Sequence, residues 1–205
     1  MLNLYATQNT ILGNLQPKSK LAQSISTLFI VLLGTLLLTA SAKINIPLIP
    51  VAATFQTMAV AIIAAAFGWR IGVATVALYL MQGAMGLPVF ALGSGFAYLM
   101  GPTGGFLLGF LPAAFIIGKM ADMGASKNFF TLFAIMIAAD IVIFAFGFTW
   151  LMAFAGSVVW LDQANLMSSA YAIAIEPFIL WDTLKMALAA MSIYGGWKLL
   201  KSIKS

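Results

Sequence analysis

Apolar runs, separated by short polar or glycine- and proline-rich segments, fill almost the whole chain. A helix needs roughly 20 apolar residues to cross the hydrocarbon core of a bilayer. The runs predict six membrane-spanning helices, of which the second is short for a span, over about residues 21–40, 54–67, 71–81, 106–121, 129–154 and 176–200. The pattern therefore predicts an all-α, polytopic six-helix bundle.

The segment between the first two runs contains Pro47 and Pro50, which break any helix and extend the residues before them. Such backbone at membrane depth is tolerated only where protein buries it or where it lines a cavity. A second irregular segment, QGAMGLPVFALGSGFAYLMGPTGG over Gln82–Gly105, is rich in glycine and uncharged. We expect it to form a re-entrant outer loop that caps a ligand pocket, with a flexible connector as the alternative.

The first run has an alternative interpretation. Lys18 and Lys20 precede it and Ala40-Ser41-Ala42 follows it, as in a secretory signal with its cleavage site. The run is long for such a signal, however, and more membrane protein follows it. We therefore expect it to remain as a span.

The sixth run carries two charges, Asp182 and Lys185. They lie on one helix face because their spacing is i,i+3, at a depth on the order of 10–15 Å below a helix that begins at Glu176. A charge at such depth costs a few kcal/mol or more unless it has a partner, and it usually marks a functional site. The alternative is a structural ion pair that fixes this helix in the bundle.

Composition supports the membrane interpretation: 63% of the 205 residues are hydrophobic, 7% are charged and the mean hydropathy is +1.07. Soluble domains have about a quarter of their residues charged. We interpret the chain as one membrane domain, 1–205, with an N-terminal segment to residue 20, the bundle over 21–200 and a tail from 201. The net charge of +5 is dispersed along loops and tail, so we expect no nucleic-acid partner.

The sequence contains no cysteine and no histidine. This excludes thiolate and histidine metal sites, haem ligation by histidine and Ser–His catalysis. A GxxxxGK[ST] phosphate loop is also absent, which excludes ATP hydrolysis by that route. For an enzyme there would remain a Ser–Lys dyad or a carboxylate pair, and no serine is paired with Lys185. We therefore expect neither catalysis nor a cofactor.

Lysine and arginine positions predict the orientation, because these residues concentrate on the cytoplasmic side of a membrane. With six spans and a cytoplasmic N-terminus, one positive residue, Lys43, falls outside, and eight fall inside: Lys18, Lys20, Arg70, Lys119, Lys127, Lys198, Lys201 and Lys204. Both irregular segments and the outer half of the sixth span then share the external side.

Polar groups converge on that side within apolar surroundings, which is typical of a small-molecule site. The candidate ligand-binding residues are Asn45, Gln56, Phe90, Ser94, Tyr98, Trp150, Asp182 and Lys185. Lys185 suits a ligand carboxylate and Asp182 suits ligand N–H groups. Asp140, inside the fifth span, fits either a structural role or ion coupling, and we expect Asp162 and Glu176 to be solvated.

The order of motifs resembles the BioY family, the biotin-specific S components of energy-coupling-factor (ECF) transporters. The resemblance covers about residues 25–200 and rests on IP and IP at 46–50, TFQT at 54–57, GLPVF at 86–90, GPTGGF at 101–106, FGFTWL at 146–151, PF at 177–178 and DxxK at 182–185.

The resemblance implies a six-helix S component in the bacterial plasma (inner) membrane, with both termini cytoplasmic and biotin held near the outer side. Gln56, Asp182 and Lys185 match the family's ligand residues, and Ser94 falls near a polar contact of its Gly-rich loop. Membership implies a transmembrane coupling subunit and cytoplasmic ATPases as partners, besides membrane lipid. The alternative function is an autonomous ion-coupled transporter that uses Asp140 or Asp182 as its carboxylate.

Overall fold

A computed structural model describes residues 7, 9–15, 19–46, 48, 51–153 and 161–204 of the chain. Within these residues, six helices of twelve residues or more form the bundle: α1 Lys20–Lys43, α2 Gln56–Phe67, α3 Trp69–Ala84, α5 Gly104–Asp122, α6 Phe129–Ala153 and α8 Ile179–Lys204. Two shorter helices lie between them, α4 Phe96–Leu99 and α7 Leu166–Ala174. The predicted all-α six-helix bundle is confirmed.

Two short strands, β1 Asn45–Ile46 and β2 Ala53–Thr54, pair antiparallel with Asn45 opposite Thr54. The strands lie at the two ends of the segment between α1 and α2, in which proline was expected to interrupt the helices. Pro47 and Pro50 themselves lie outside the described residues. Residues 154–160, which include the end of the fifth span and part of the segment that follows it, also lie outside them.

The sixth span differs from its prediction. Residues 176–178 form a 3-10 turn, and α8 begins at Ile179 rather than at Glu176. Pro177 separates α7 from α8, because its ring and its missing N–H prevent a helix that arrives from α7 from continuing through it. Asp182 therefore lies in the first turn of α8, nearer the start of its helix than the sequence predicted. The segment between the fifth and sixth predicted spans also contains a helix, α7, which the pattern did not indicate.

The helices differ in their capacity to cross a bilayer. Among the described residues, α1, α5 and α6 are long and apolar enough to span one. Helix α8 is long, with 26 residues, but it carries charged residues near both ends. Helix α2 has 12 residues, a length of about 18 Å. It is nevertheless central, with Ala61, Ile63, Ala64 and Ala65 fully buried, so the bundle has a short helix at its centre.

Glycine allows the longer helices to approach one another. A Cβ built on Gly105 of α5 would overlap the Cβ of Trp150 and lie 2.7 Å from the carbonyl oxygen of Phe146, both on α6. Gly147 of α6 likewise meets the ring of Phe106. In a bilayer, close packing replaces the hydrophobic driving force between helices. These small residues therefore fix the contact between α5 and α6.

The N-terminal segment docks at the end of the bundle opposite the strands. The hydroxyl of Thr7 donates to Asp122 Oδ1 at 2.7 Å, and Asn9 Nδ2 donates to the Asp122 carbonyl at 3.1 Å. The backbone N–H of Trp69 reaches Asp122 Oδ2 at 3.3 Å. Asp122 thus joins the N-terminal segment to the ends of α3 and α5. No structural role was predicted for the residues before Lys20.

Gly105→Ala is expected to destabilise the bundle by about 1–3 kcal/mol, because the added methyl meets α6 backbone that cannot easily move. Thermal unfolding of the purified protein in detergent measures the change. Gly195→Ala in α8 is the matched control, since nothing lies within 4 Å of a Cβ there, and the helix gains up to about 1 kcal/mol. An unchanged melting temperature for Gly105→Ala would contradict this packing.

Candidate ligand-binding site

A cavity opens above the N-terminal end of the central helix α2. The empty space in the cavity and its open mouth together amounts to ≈ 590 Å³, open solvent included. Its polar lining comprises Thr54, Gln56, Thr57, Tyr98, Thr103, Asp182 and Lys185. Its aromatic lining adds Phe106, Phe110, Phe144 and Phe178. The site is thus apolar, with a few polar groups converging from four parts of the chain.

Asp182 and Lys185 form a buried ion pair on α8, and each side chain is 3% exposed. Lys185 Nζ also donates to the carbonyl oxygen of Thr54 at 2.8 Å and to Thr57 Oγ1 at 3.0 Å. An ammonium has three N–H groups, and the protein uses all three. A ligand carboxylate would have to replace one of these contacts, whereas Asp182 retains acceptor capacity for a ligand N–H.

Gln56 is buried at the start of α2, with 3% of its surface exposed. Its Nε2 donates to the hydroxyl oxygen of Tyr79 at 2.8 Å, and its Oε1 accepts from Thr54 Oγ1 at 3.2 Å. Tyr79 in turn donates to the carbonyl oxygen of Val89 at 3.0 Å. These bonds run from Val89 in the Gly-rich loop through Tyr79 and Gln56 to Thr54. The carbonyl of Thr54 in turn binds Lys185.

Four of the eight predicted ligand residues line this cavity together: Gln56, Tyr98, Asp182 and Lys185. Each reaches it from a different place in the fold, except that the last two share α8. The family motifs TFQT and DxxK thus meet in space. Contact of these four with a ligand stays a prediction.

The other four predicted residues do not line the cavity. Asn45 Nδ2 donates to the carbonyls of Ala42 and Lys43 and so caps the end of α1. Ser94 is exposed in the Gly-rich loop. Phe90 is fully buried and stacks on Tyr98, with ring centroids 5.2 Å apart.

Trp150 is the fourth. Its indole N–H donates to the Gly101 carbonyl at 3.0 Å, which ties α6 to the Gly-rich loop. Phe90 and Trp150 therefore support the wall of the cavity from behind. A ligand contact for these four residues also stays a prediction.

Some residues of the site carried no strong signal in the sequence. Thr54 and Thr57 flank Gln56 in TFQT, and that position alone could have indicated them. Tyr79 and the phenylalanines of α5 and α6 are ordinary residues of apolar helices. Their role depends on which face each helix turns inward, and that is decided by packing.

Asp140 lies apart from this cavity. It is 7% exposed on α6 and lines a groove between α6 and residues 175–183, where its Oδ1 has no hydrogen-bond partner among the described residues. It is close enough to Asp182 and Lys185 for their charges to interact with it. Lys185 is already paired with Asp182, and among the described residues Asp140 forms no ion pair.

The remaining acidic residues of this end are exposed, as expected. Asp162 accepts hydrogen bonds from the backbone N–H of Ala164 at 2.9 Å and from Asn165 Nδ2 at 3.2 Å. The hydrogen bond from the backbone N–H of Ala164 is the main reason why the pKa of Asp162 lies below its ordinary value. Glu176 is exposed in its 3-10 turn. Neither faces the cavity.

Lys185→Met is expected to lower the free energy of unfolding by about 3–5 kcal/mol, because it leaves the Asp182 carboxylate buried without its cation. Adding Asp182→Asn should restore most of that loss, since the double variant buries no unpaired charge. Thermal unfolding in detergent compares the single and double variants. Equal stability of the single variant and the wild type would show that the pair is not needed for the fold.

Comparison with known proteins agrees with this geometry. The sequence model of the BioY family matches residues 15–202. "Biotin transporter BioY" of Thermotoga maritima is 36% identical over 158 residues, 77% of this chain and 87% of the relative. "Biotin transporter BioY2" of Lactococcus lactis subsp. cremoris is 32% identical over 82% of this chain and 87% of its own.

A crystal structure of the S-component for biotin from an ECF-type ABC transporter has the same fold. It superposes with a TM-score of 0.72 at 25% identity and covers 89% of this chain and 95% of its own. The family-model match over residues 15–202 takes in the bundle, the Gly-rich loop and the charged helix. On these grounds the chain belongs to the BioY family.

Proposed function

We propose that this chain is a biotin transporter, the membrane-embedded S component that captures biotin in the cavity above α2. The observation that carries the proposal is the buried Asp182–Lys185 pair, which faces an apolar cavity beside Gln56 in a member of the BioY family. Relatives of similar length are biotin transporters by name.

The chemistry of the cavity suits biotin. Biotin has a ureido head with two N–H donors, an apolar ring system and a carboxylate tail. Asp182 and Gln56 Oε1 supply acceptors for N–H groups, and the aromatic lining suits the rings. Lys185 supplies the positive charge near which a carboxylate is stabilised. The cavity therefore has a counterpart for each part of the ligand.

The proposal extends to orientation and partners. Arg70, Lys119 and Lys127 lie at the end of the bundle to which the N-terminal segment docks, and positive residues favour the cytoplasmic side. We place both termini in the cytoplasm of a bacterium and the cavity at the outer side of its plasma membrane. A transmembrane coupling subunit and cytoplasmic ATPases would then power release inward, because this chain has no phosphate loop.

Protein purified from its host is expected to retain biotin at about one molecule per chain. Asp182→Asn and Lys185→Met should each weaken biotin binding roughly 10- to 100-fold, the loss of one hydrogen bond to a charged group. Equilibrium binding of labelled biotin measures this, with Lys198→Met as a control because that lysine is exposed on the same helix.

The two possible failures are distinct. Wild-type protein that binds no biotin would reject the function itself. Wild-type protein that binds biotin, together with both variants at unchanged affinity, would reject this site and leave the function in place.

The second candidate is an ion-coupled transporter that works alone, favoured by the buried and partly unpartnered Asp140. Under the S-component proposal, Asp140→Asn keeps biotin affinity within about threefold, because the residue lies outside the cavity and an amide fits where the carboxylate has no cation. Uptake should require added coupling and ATPase subunits. Uptake by the lone chain that an ionophore abolishes, and that Asp140→Asn also abolishes, would favour the second candidate.

A further inference from the structure

Tyr79 lies behind the cavity on α3 and is fully buried. It does not line the cavity, but its hydroxyl contacts Gln56, which does. We infer that Tyr79 is a positioning residue that fixes the orientation of the Gln56 amide, so that the cavity presents the Gln56 carbonyl oxygen and selects a ligand with an N–H group at that point. This inference rests on the proposed function and names a specificity determinant of the same site.

The assignment follows from counting hydrogens. A backbone carbonyl only accepts, so the contact between the Tyr79 hydroxyl and Val89 O uses the one hydrogen that the hydroxyl has. The Tyr79 oxygen can then only accept from Gln56, and Nε2 is the only atom of that side chain which donates. The amide is therefore oriented with Nε2 toward Tyr79.

The opposite orientation is unfavourable for the same reason. It would turn Gln56 Oε1 toward the Tyr79 oxygen, and the single hydrogen between them would have to be shared with Val89. Either the two oxygens would meet without a hydrogen or the Val89 carbonyl would lose its donor, and an unmade buried hydrogen bond is costly. Amide orientation, which is otherwise ambiguous in protein structures, is thus set here by the neighbouring bonds.

On the cavity side, Thr54 completes the arrangement. Its hydroxyl accepts from the backbone N–H of Gln56 at 3.2 Å and so has its hydrogen available for Gln56 Oε1. A carbonyl oxygen has two lone pairs, so Oε1 retains one for a ligand. With Asp182 opposite on α8, the cavity holds two acceptors and favours a ligand with N–H donors.

A site of this kind discriminates strongly, because a ligand without the N–H leaves a buried acceptor unpaired. Releasing the amide from Tyr79 should therefore weaken selectivity as well as affinity. The free amide can turn either its oxygen or its NH₂ group toward the ligand. A loss of selectivity on removal of the Tyr79 hydroxyl therefore distinguishes a positioning role from a packing role.

The test uses Tyr79→Phe, which keeps the ring and its edge-to-face contact with Phe90 and removes only the hydroxyl. Two biotin analogues, each with one ureido N–H replaced by oxygen, serve as probes. In the wild type, we expect at least one analogue to bind about 100-fold more weakly than biotin. In Tyr79→Phe, biotin should bind about tenfold more weakly, and the ratio of analogue to biotin Kd should fall about tenfold.

A double-mutant cycle with Gln56→Ala identifies the route of the effect. If Tyr79 acts through Gln56, Tyr79→Phe changes biotin affinity less than twofold once Gln56 is alanine. Additive losses would instead show that Tyr79 acts through the Gly-rich loop, and would overturn the inference. Tyr194→Phe is the control, since Tyr194 lies beside Lys198 in the far half of α8.

An unchanged ratio in Tyr79→Phe also overturns the inference while leaving biotin binding established. If Tyr79→Phe does not fold, the wild type and Gln56→Ala decide: both analogues binding the wild type as tightly as biotin, or the same analogue-to-biotin ratio in the wild type and in Gln56→Ala, would overturn the inference. Wild-type protein that binds no biotin would reject the proposed function first. The two failures are thus told apart by the wild-type measurement.

Discussion

The bond between Lys185 and the backbone of Thr54 is the contact on which the arrangement of the site depends. A lysine inside a bilayer is stable only when its N–H groups are all engaged. Thr54 lies in β2, within the extended segment between α1 and α2, so its carbonyl oxygen is outside any helical ladder. The break between α1 and α2 thus places an acceptor next to the buried cation.

From Thr54 the hydrogen bonds continue through Gln56 and Tyr79 to Val89 in the Gly-rich loop. This continuity connects the loop to the charged helix. The loop is held further by Lys43, whose Nζ donates to the Phe90 carbonyl at 2.6 Å. Gly83 leaves the room that the Phe90 ring fills. The loop is therefore part of the packed structure. Gly83 serves close contact, whereas Gly86 and Gly95 serve turns with positive φ and have nothing within 4 Å of a Cβ.

The sequence was sufficient for most of the fold, because a run of apolar residues has little alternative to a helix in a bilayer. The boundaries it predicted for α1 and α6 are within a few residues of the structure. It was less successful at the turns between helices. Helix α8 begins at Ile179 rather than at the predicted Glu176, and α7 lies in a segment where no helix was expected. Short elements of this kind depend on tertiary contacts more than on composition.

For the site, charge was the best guide. Asp182 and Lys185 stand out because hydrocarbon penalises them, and Gln56 stands out within its motif. The sequence did not indicate that Asn45 caps α1 or that Trp150 bonds to Gly101, because these partners are decided by packing. A ligand contact for either residue stays a prediction. Tyr79 has no signal in a linear pattern, since its importance comes from two bonds that only the folded chain brings together.

The shortness of α2 has an electrical consequence. The cavity lies above a central helix about 18 Å long in a membrane whose hydrocarbon is about 30 Å thick, so a ligand held there is already part way across. Moving one elementary charge through the whole potential costs about 2.3 kcal/mol per 100 mV. With the cavity at the outer side, as proposed, and the cell negative inside, whatever share of the voltage falls across the mouth opposes an anionic group of the ligand and leaves a neutral group unaffected. Under that orientation, membrane voltage becomes part of the affinity of the pocket.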